Sequence, residues 1–147
     1  MLGRSGAAAA LPDGLQSANF ALGGLTTDDP REIAWRATII GFDGGCTYRG
    51  GGVRLRYTID LSGVAGPAFD GRPLIFPYFI AVEDPAGTLL AKQSLQAELP
   101  RPAGREAVGS RETIDQTIAG VTPADARAWR IYIGIDLPPE AVRTPDR

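Results

Sequence analysis

Leu74-Ile75-Phe76-Pro77-Tyr78-Phe79-Ile80-Ala81-Val82-Glu83, then Asp84-Pro85-Ala86-Gly87, then Thr88-Leu89-Leu90-Ala91-Lys92-Gln93-Ser94-Leu95-Gln96-Ala97-Glu98-Leu99, is the stretch whose reading decides the fold. Two runs rich in strand-forming residues flank an Asp-Pro-x-Gly turn. Proline presets φ at the second turn position and glycine takes the left-handed conformation that follows, so the pattern predicts a long antiparallel hairpin. In its first arm Tyr78, Ile80 and Val82 share one face, and Phe79 and Ala81 the other. Pro77 has no N–H to give a ladder, which predicts a sheet edge or a bulge there. Aromatic neighbours on both sides would make such an edge adhesive.

Working outward, other segments show the same period of two. On the N-terminal side, 32–42 places Ile33, Trp35, Ala37 and Ile39 on one face and Ala34, Arg36, Thr38 and Ile40 on the other. Gly41 is expected to break that strand. Asp43-Gly44-Gly45 reads as turn chemistry, and Cys46-Thr47-Tyr48 as a short continuation. Val53, Leu55, Tyr57, Ile59 and Leu61 then alternate with Arg54, Arg56, Thr58 and Asp60, which predicts one core face and one wet face. Arg54 and Arg56 are read as a solvated strand face beside carboxylates rather than as an anion site.

On the C-terminal side, 111–118 forms a polar strand with Ile114 and Ile118 inward. Thr122-Pro123 resembles the start of a helical turn. The most regular alternation is 129–137, with Trp129, Ile131, Ile133, Ile135 and Leu137 on one face. Residues 1–30 lack a periodic apolar face and are expected to form an extended or flexible arm, pinned by Phe20, Leu22 and Leu25. The sandwich domain is assigned to 31–138 and a tail to 139–147. About seven strands without an ordinary amphipathic helix predict an antiparallel, immunoglobulin-like β-sandwich with an extended N-terminal arm. A small closed barrel is the second arrangement that such strands allow.

The 147 residues suit one domain, and no run approaches the ~18 apolar residues that cross a bilayer as a helix. A net charge of −2 gives no overall attraction to phosphate backbones, so nucleic acid is not an expected partner. The absence of histidine removes the commonest general base and metal ligand, and the single Cys46 precludes an internal disulfide. Cys46 is expected to be buried as a small apolar side chain. Lys92 and Ser94, the pairs Glu83/Asp84 and Glu112/Asp115, and the acidic residues Asp28, Asp29 and Asp43 are all read as surface or turn chemistry. No catalytic residue, cofactor or metal is therefore assigned.

What remains is a set of candidate partner-binding residues: Phe20, Leu22, Phe76, Pro77 and Phe79. Trp35, Tyr48 or Tyr132 would instead serve as a stacking platform if the chain were a glycan-binding module.

The order Trp35-Arg36-Ala37-Thr38-Ile39, Gly45-Cys46-Thr47-Tyr48, Phe76-Pro77-Tyr78-Phe79-Ile80-Ala81-Val82 with Asp84-Pro85 and Leu90-Ala91-Lys92, and Tyr132-Ile133-Gly134-Ile135 before Leu137-Pro138-Pro139-Glu140 resembles a group of uncharacterised lipoproteins of alphaproteobacteria. The resemblance spans about Leu15 to Arg147. It implies an exported protein, periplasmic and membrane-associated, held through a lipidated cysteine near the N-terminus. No cysteine precedes Ala34 and no apolar signal precedes Leu11, so an anchor is expected only where a signal lies upstream of Met1; otherwise the expected compartment is the cytoplasm. The resulting expectation is a non-enzymatic accessory subunit that binds protein partners in an envelope or membrane-associated assembly.

Overall fold

The computed structural model describes residues 8–10, 14–49, 51–119 and 130–137. Its strands are β1 (Ala8–Ala10), β2 (Ser17–Phe20), β3 (Trp35–Arg49), β4 (Gly52–Ala65), β5 (Leu74–Glu83), β6 (Leu89–Leu99), β7 (Val108–Ala119) and β8 (Arg130–Ile135). One sheet has the order β1-β8-β5-β6 and the other β2-β3-β4-β7. Every pairing is antiparallel except that of the three-residue β1, which runs parallel to β8. Setting β1 aside, seven strands form an antiparallel, immunoglobulin-like sandwich. The hairpin β3–β4 crosses to the hairpin β5–β6, and β7 and β8 then return beside β4 and β5 in Greek-key fashion.

The central hairpin forms as its turn chemistry dictates. Asp84 N–H donates to the Thr88 carbonyl (2.9 Å) and Gly87 N–H to the Asp84 carbonyl (3.0 Å). Asp84 Oδ1 also accepts from Ala86 N–H (3.0 Å) and Thr88 N–H (2.8 Å), and Gly87 adopts φ 87°. Its first arm, β5, is an interior strand between β8 and β6, so Pro77 does not mark a sheet edge. The last β5–β8 pair is Tyr78 with Ile135, and beyond it the Pro77 carbonyl accepts from Asp136 N–H (3.0 Å). In an antiparallel strand the N–H and C=O of one residue point the same way, so the one bond that proline forgoes is the reciprocal bond to the Asp136 carbonyl, just beyond the last pair of β8.

The interior is filled by alternate residues of both sheets. Leu55, Tyr57 and Ile59 of β4 face Phe76, Tyr78 and Ile80 of β5 and Ile131, Ile133 and Ile135 of β8 in one buried cluster. At one end Trp35 stacks on Phe20 (centroids 5.2 Å, 23°) and meets Phe76 across the sheets (5.7 Å, 59°). That contact joins β2 and β3 to β5. The stretch 14–30 is docked on the sandwich, with β2 completing a sheet and a tight turn following it. Between β1 and β2, the Leu15 carbonyl accepts from Ile135 N–H (2.8 Å) and the Gln16 carbonyl from Ile39 N–H (2.8 Å).

Gly41 does not end its strand. β3 continues through 41–49 after a bulge between Ile39 and Gly41, which shifts the inward phase from Trp35, Ala37 and Ile39 to Phe42, Gly44 and Cys46. Ile40 is left exposed by that slip. Gly44 and Gly45 are not a turn either. A Cβ on Gly44 would lie 2.2 Å from the Arg56 carbonyl oxygen and 2.7 Å from Tyr57 Cα. The expected helical turn at 122–125 and the tail 139–147 lie outside the described residues, as does Trp129.

These two glycines give a direct test. Gly44→Ala is expected to lower stability by about 1–3 kcal/mol through forced backbone movement. Gly41→Ala, whose Cβ meets nothing within 4 Å, should stay within about 0.5 kcal/mol of the parent in urea unfolding.

Candidate functional site

At the end of the sandwich carrying the Phe20–Trp35–Phe76 stack, two loops display apolar side chains beside a groove of about 200 Å³. The first loop is a tight turn: Gly24 N–H donates to the Ala21 carbonyl (3.2 Å), Ala21 N–H to the Leu25 carbonyl (2.7 Å), and Gly23 sits at φ 88° in its third position. A turn with a left-handed third residue presents its second residue outward, which leaves Leu22 54% exposed. The second loop is 66–73. Gly66 N–H donates to the Ala34 carbonyl (2.9 Å) and Ala68 N–H to that of Ile33 (2.9 Å), which fixes Phe69 against the core. Gly66 is required there, because a Cβ would lie 2.4 Å from the Ile33 carbonyl oxygen.

The groove is lined by Leu22, Trp35, Phe69 and Leu74, and its rim carries Ile75, 46% exposed. Asp70 and Arg72 supply its charge and hold one another: Arg72 N–H donates to Asp70 Oδ1 (3.2 Å), and Nε lies 3.2 Å from Oδ2. A wider recess of about 610 Å³ lies on the far side of Phe69, lined by 64–67, Gly104 and Arg105. An apolar floor with one exposed ion pair on the rim suits an apolar side chain followed by a polar segment of a protein partner.

Of the five residues singled out from the sequence, only Leu22 lies at this surface. Phe20 (2% exposed) and Phe76 (0%) belong to the core, where they form the aromatic stack. Phe79 is 8% exposed on the outer face of its sheet, roofed by the Lys92 ammonium (5.0 Å from the ring centroid) and lying against Gly134. Pro77 is half-buried on an interior strand. A docking edge made of these aromatic residues is therefore absent from the described structure. Ile75 was not singled out by the sequence reading. The signal for it was its place opposite Glu98, on the wet side of a strand otherwise apolar on both faces.

The three residues named for a glycan platform lie in different settings. Trp35 is 8% exposed within the stack, and Tyr132 O–H donates to Glu83 Oε1 (3.2 Å). Tyr48's side chain lies outside the described residues. Cys46 is buried, as expected. The carboxylate pairs do not converge: Asp84 caps its turn, while Glu112 faces inward and Asp115 outward on β7.

The outer face of β4 and β7 is a charge ladder. Arg54 binds Asp115 through Nε (2.8 Å) and Nη2 (2.5 Å), Arg56 Nε lies 3.9 Å from the same carboxylate, and Arg111 Nε lies 2.8 Å from Asp60. The pair Arg54/Arg56 is thus a solvated strand face with carboxylates beside it. The hydrogen bonds from Arg54 hold the Asp115 carboxyl below the usual carboxylate range, and the charges of Arg54 and Arg56 add to this. On the inner side, burial pushes the Tyr78 phenol up, and the charge of Glu112 pushes it further.

Among the described residues, no three His, Cys, Asp or Glu side chains are grouped to hold a metal ion, and no helix is long and apolar enough to cross a membrane. No protein-family model matches the chain, and no curated protein is similar to it.

Two outcomes follow. Phe20→Ala should cost about 3–5 kcal/mol in urea unfolding, as core aromatics do, whereas Leu22→Asp should stay within about 0.5 kcal/mol of the parent. For Asp115, a folded pKa below the unfolded value means that its stabilisation is present above about pH 3.9 and is lost as pH falls through the lowered value. Carboxyl NMR titration should place the Asp115 midpoint below about 3.9 and show it rising in Arg54→Ala.

Proposed function

We propose that this chain is a non-enzymatic structural or accessory subunit of a bacterial envelope or membrane-associated assembly, gripping a protein partner in the groove between Leu22 and Ile75. The observation that carries the reading is the pairing of these two exposed apolar side chains, one on the 21–25 turn and one at the start of β5, with an apolar floor of Trp35, Phe69 and Leu74. Surface apolar residues scattered singly have no special meaning, but two that flank one groove give a partner a pocket and a rim. The carboxylates weighed for catalysis are occupied structurally: Glu83 accepts from Tyr132, Asp84 caps its turn, Glu112 accepts from Ser110 and Asp115 pairs with Arg54. The periplasmic, membrane-associated setting rests on the resemblance of the motif order to that of a group of lipoproteins of alphaproteobacteria.

The test is site-specific photo-crosslinking in cells producing the full chain. A photoreactive phenylalanine at position 22 or 75 should yield one and the same partner adduct, and position 40, equally apolar and exposed on the bulge of β3, should yield none. Leu22→Asp should reduce the adduct formed from position 75 about tenfold, as loss of a central apolar anchor does. Equal labelling from position 40, or no adduct from 22 and 75, would remove the reading.

A further inference from the structure

A sandwich of two open sheets has four edge strands, and natural proteins blunt such edges against pairing with other chains. Among the described residues these are β1 and β6 in one sheet and β2 and β7 in the other. Three are blunted. β1 has three residues and β2 four, too short to template a partner. β7 is long, but Glu112 faces inward from it opposite Ile59, and an inward-pointing charge at an edge opposes extension of the sheet.

The fourth is different. β6 has eleven residues, contains no proline, and its only irregularity lies at its start, where Glu83 pairs with Leu89. Across 92–98 its outward residues are Lys92, Ser94, Gln96 and Glu98, all exposed, and its inward ones are Gln93, Leu95 and Ala97. In the single chain its one lysine turns back from the edge, through part-exposed contacts that a carboxylate on a paired strand can displace. The Lys92 ammonium is drawn back across its own sheet, 5.0 Å from the Phe79 ring centroid and 3.5 Å from Asp136 Oδ1. Glu98 has no ion-pair partner among the described residues.

We infer that β6 is the interface for a second copy of this chain, pairing antiparallel about a two-fold axis at Leu95 to extend the sheet across two molecules. The observation is the charge pattern of the strand itself. Lys92 and Glu98 lie three residues either side of Leu95, so an antiparallel copy centred there sets Lys92 opposite Glu98 twice, and Ser94 opposite Gln96 twice. Directly opposed opposite charges stabilise a strand pair and like charges oppose it, so this register is favoured over its neighbours. Leu95, partly buried against the core, meets its own copy on the inward side, which continues the apolar layer. The partner is thus a second copy, not an arbitrary strand, because the edge is complementary to itself. This surface is separate from the groove at Leu22, and neither inference requires the other.

The test is sedimentation of the full chain over a dilution series, with substitutions that reverse charge on either side of the axis. The wild-type chain should exchange between monomer and dimer. Glu98→Lys, which sets lysine against lysine, should weaken the dimer about tenfold, and Lys92→Glu should do the same. An equimolar mixture of the two variants should recover a 1:1 dimer, because every opposed pair is then Lys with Glu. Circular dichroism checks that each variant is folded.

A second readout does not depend on Lys92, whose loss also strands Asp136. Ser94→Cys mixed with Gln96→Cys should form an intermolecular disulfide faster than either variant alone, since only unlike positions lie opposite one another at disulfide distance. A chain that stays monomeric at every concentration would overturn the inference. So would a dimer indifferent to Glu98→Lys, or disulfide formation no faster in the mixture than in the separate variants.

Discussion

The fold depends on one packing constraint: the inner faces of two sheets must exclude water along their whole length. Strands β4, β5 and β8 meet it with unbroken alternation, placing Leu55, Ile59, Phe76, Ile80, Ile131, Ile133 and Ile135 at or near zero exposure. Burying each such side chain contributes about 1.5–3 kcal/mol relative to leaving it in water. The dominant favourable term therefore comes from three interior strands, while β2, β6 and β7 close the sides. The aromatic stack of Phe20, Trp35 and Phe76 extends the same seal to one end.

Filling the interior in this way directs function to the periphery. Around its aromatic residues β5 is covered on both faces, by the opposite sheet within and by Lys92 over Phe79 without, which leaves those rings little exposed. What the fold leaves accessible is of two kinds. At one end Leu22, on its turn, and Ile75, at the start of β5, flank a groove, and the edge of β6 offers unpaired backbone with a self-complementary charge pattern. The wet face of β4 and β7 is different again, since its arginines are matched to Asp60 and Asp115 and carry little unpaired charge.

The sandwich was legible where side-chain period and strand geometry agreed, as in 53–61 and 131–135, whose inward residues are those the alternation singled out. It was obscured in β3 for a definite reason. A one-residue bulge at Ile40 reverses the phase of alternation, so a single fifteen-residue strand looks like a strand, a turn and a fragment. Gly44 and Gly45 strengthened that reading, although Gly44 serves the close approach to the backbone of β4 rather than a turn. The missing N–H of Pro77 points to an edge or a bulge, whereas the structure keeps it on an interior strand, where it forgoes a single bond at the frayed end of the β5–β8 ladder. The site was less legible than the fold. Period-two alternation shows that Phe76 and Phe79 point to opposite sides, but not that both sides are covered, which depends on residues more than ten positions away such as Lys92 and Gly134.

The central claim is that β5 lies in the middle of a closed double layer. Native-state hydrogen exchange followed residue by residue measures this most directly. Amides of β5 that bond to β6 or β8 should exchange only through global unfolding, with the same free energy as those of β4, while amides in 21–25 and 66–73 that face solvent should open locally. Exchange of the β5 amides at the rate of those loops would contradict the double layer with β5 at its centre.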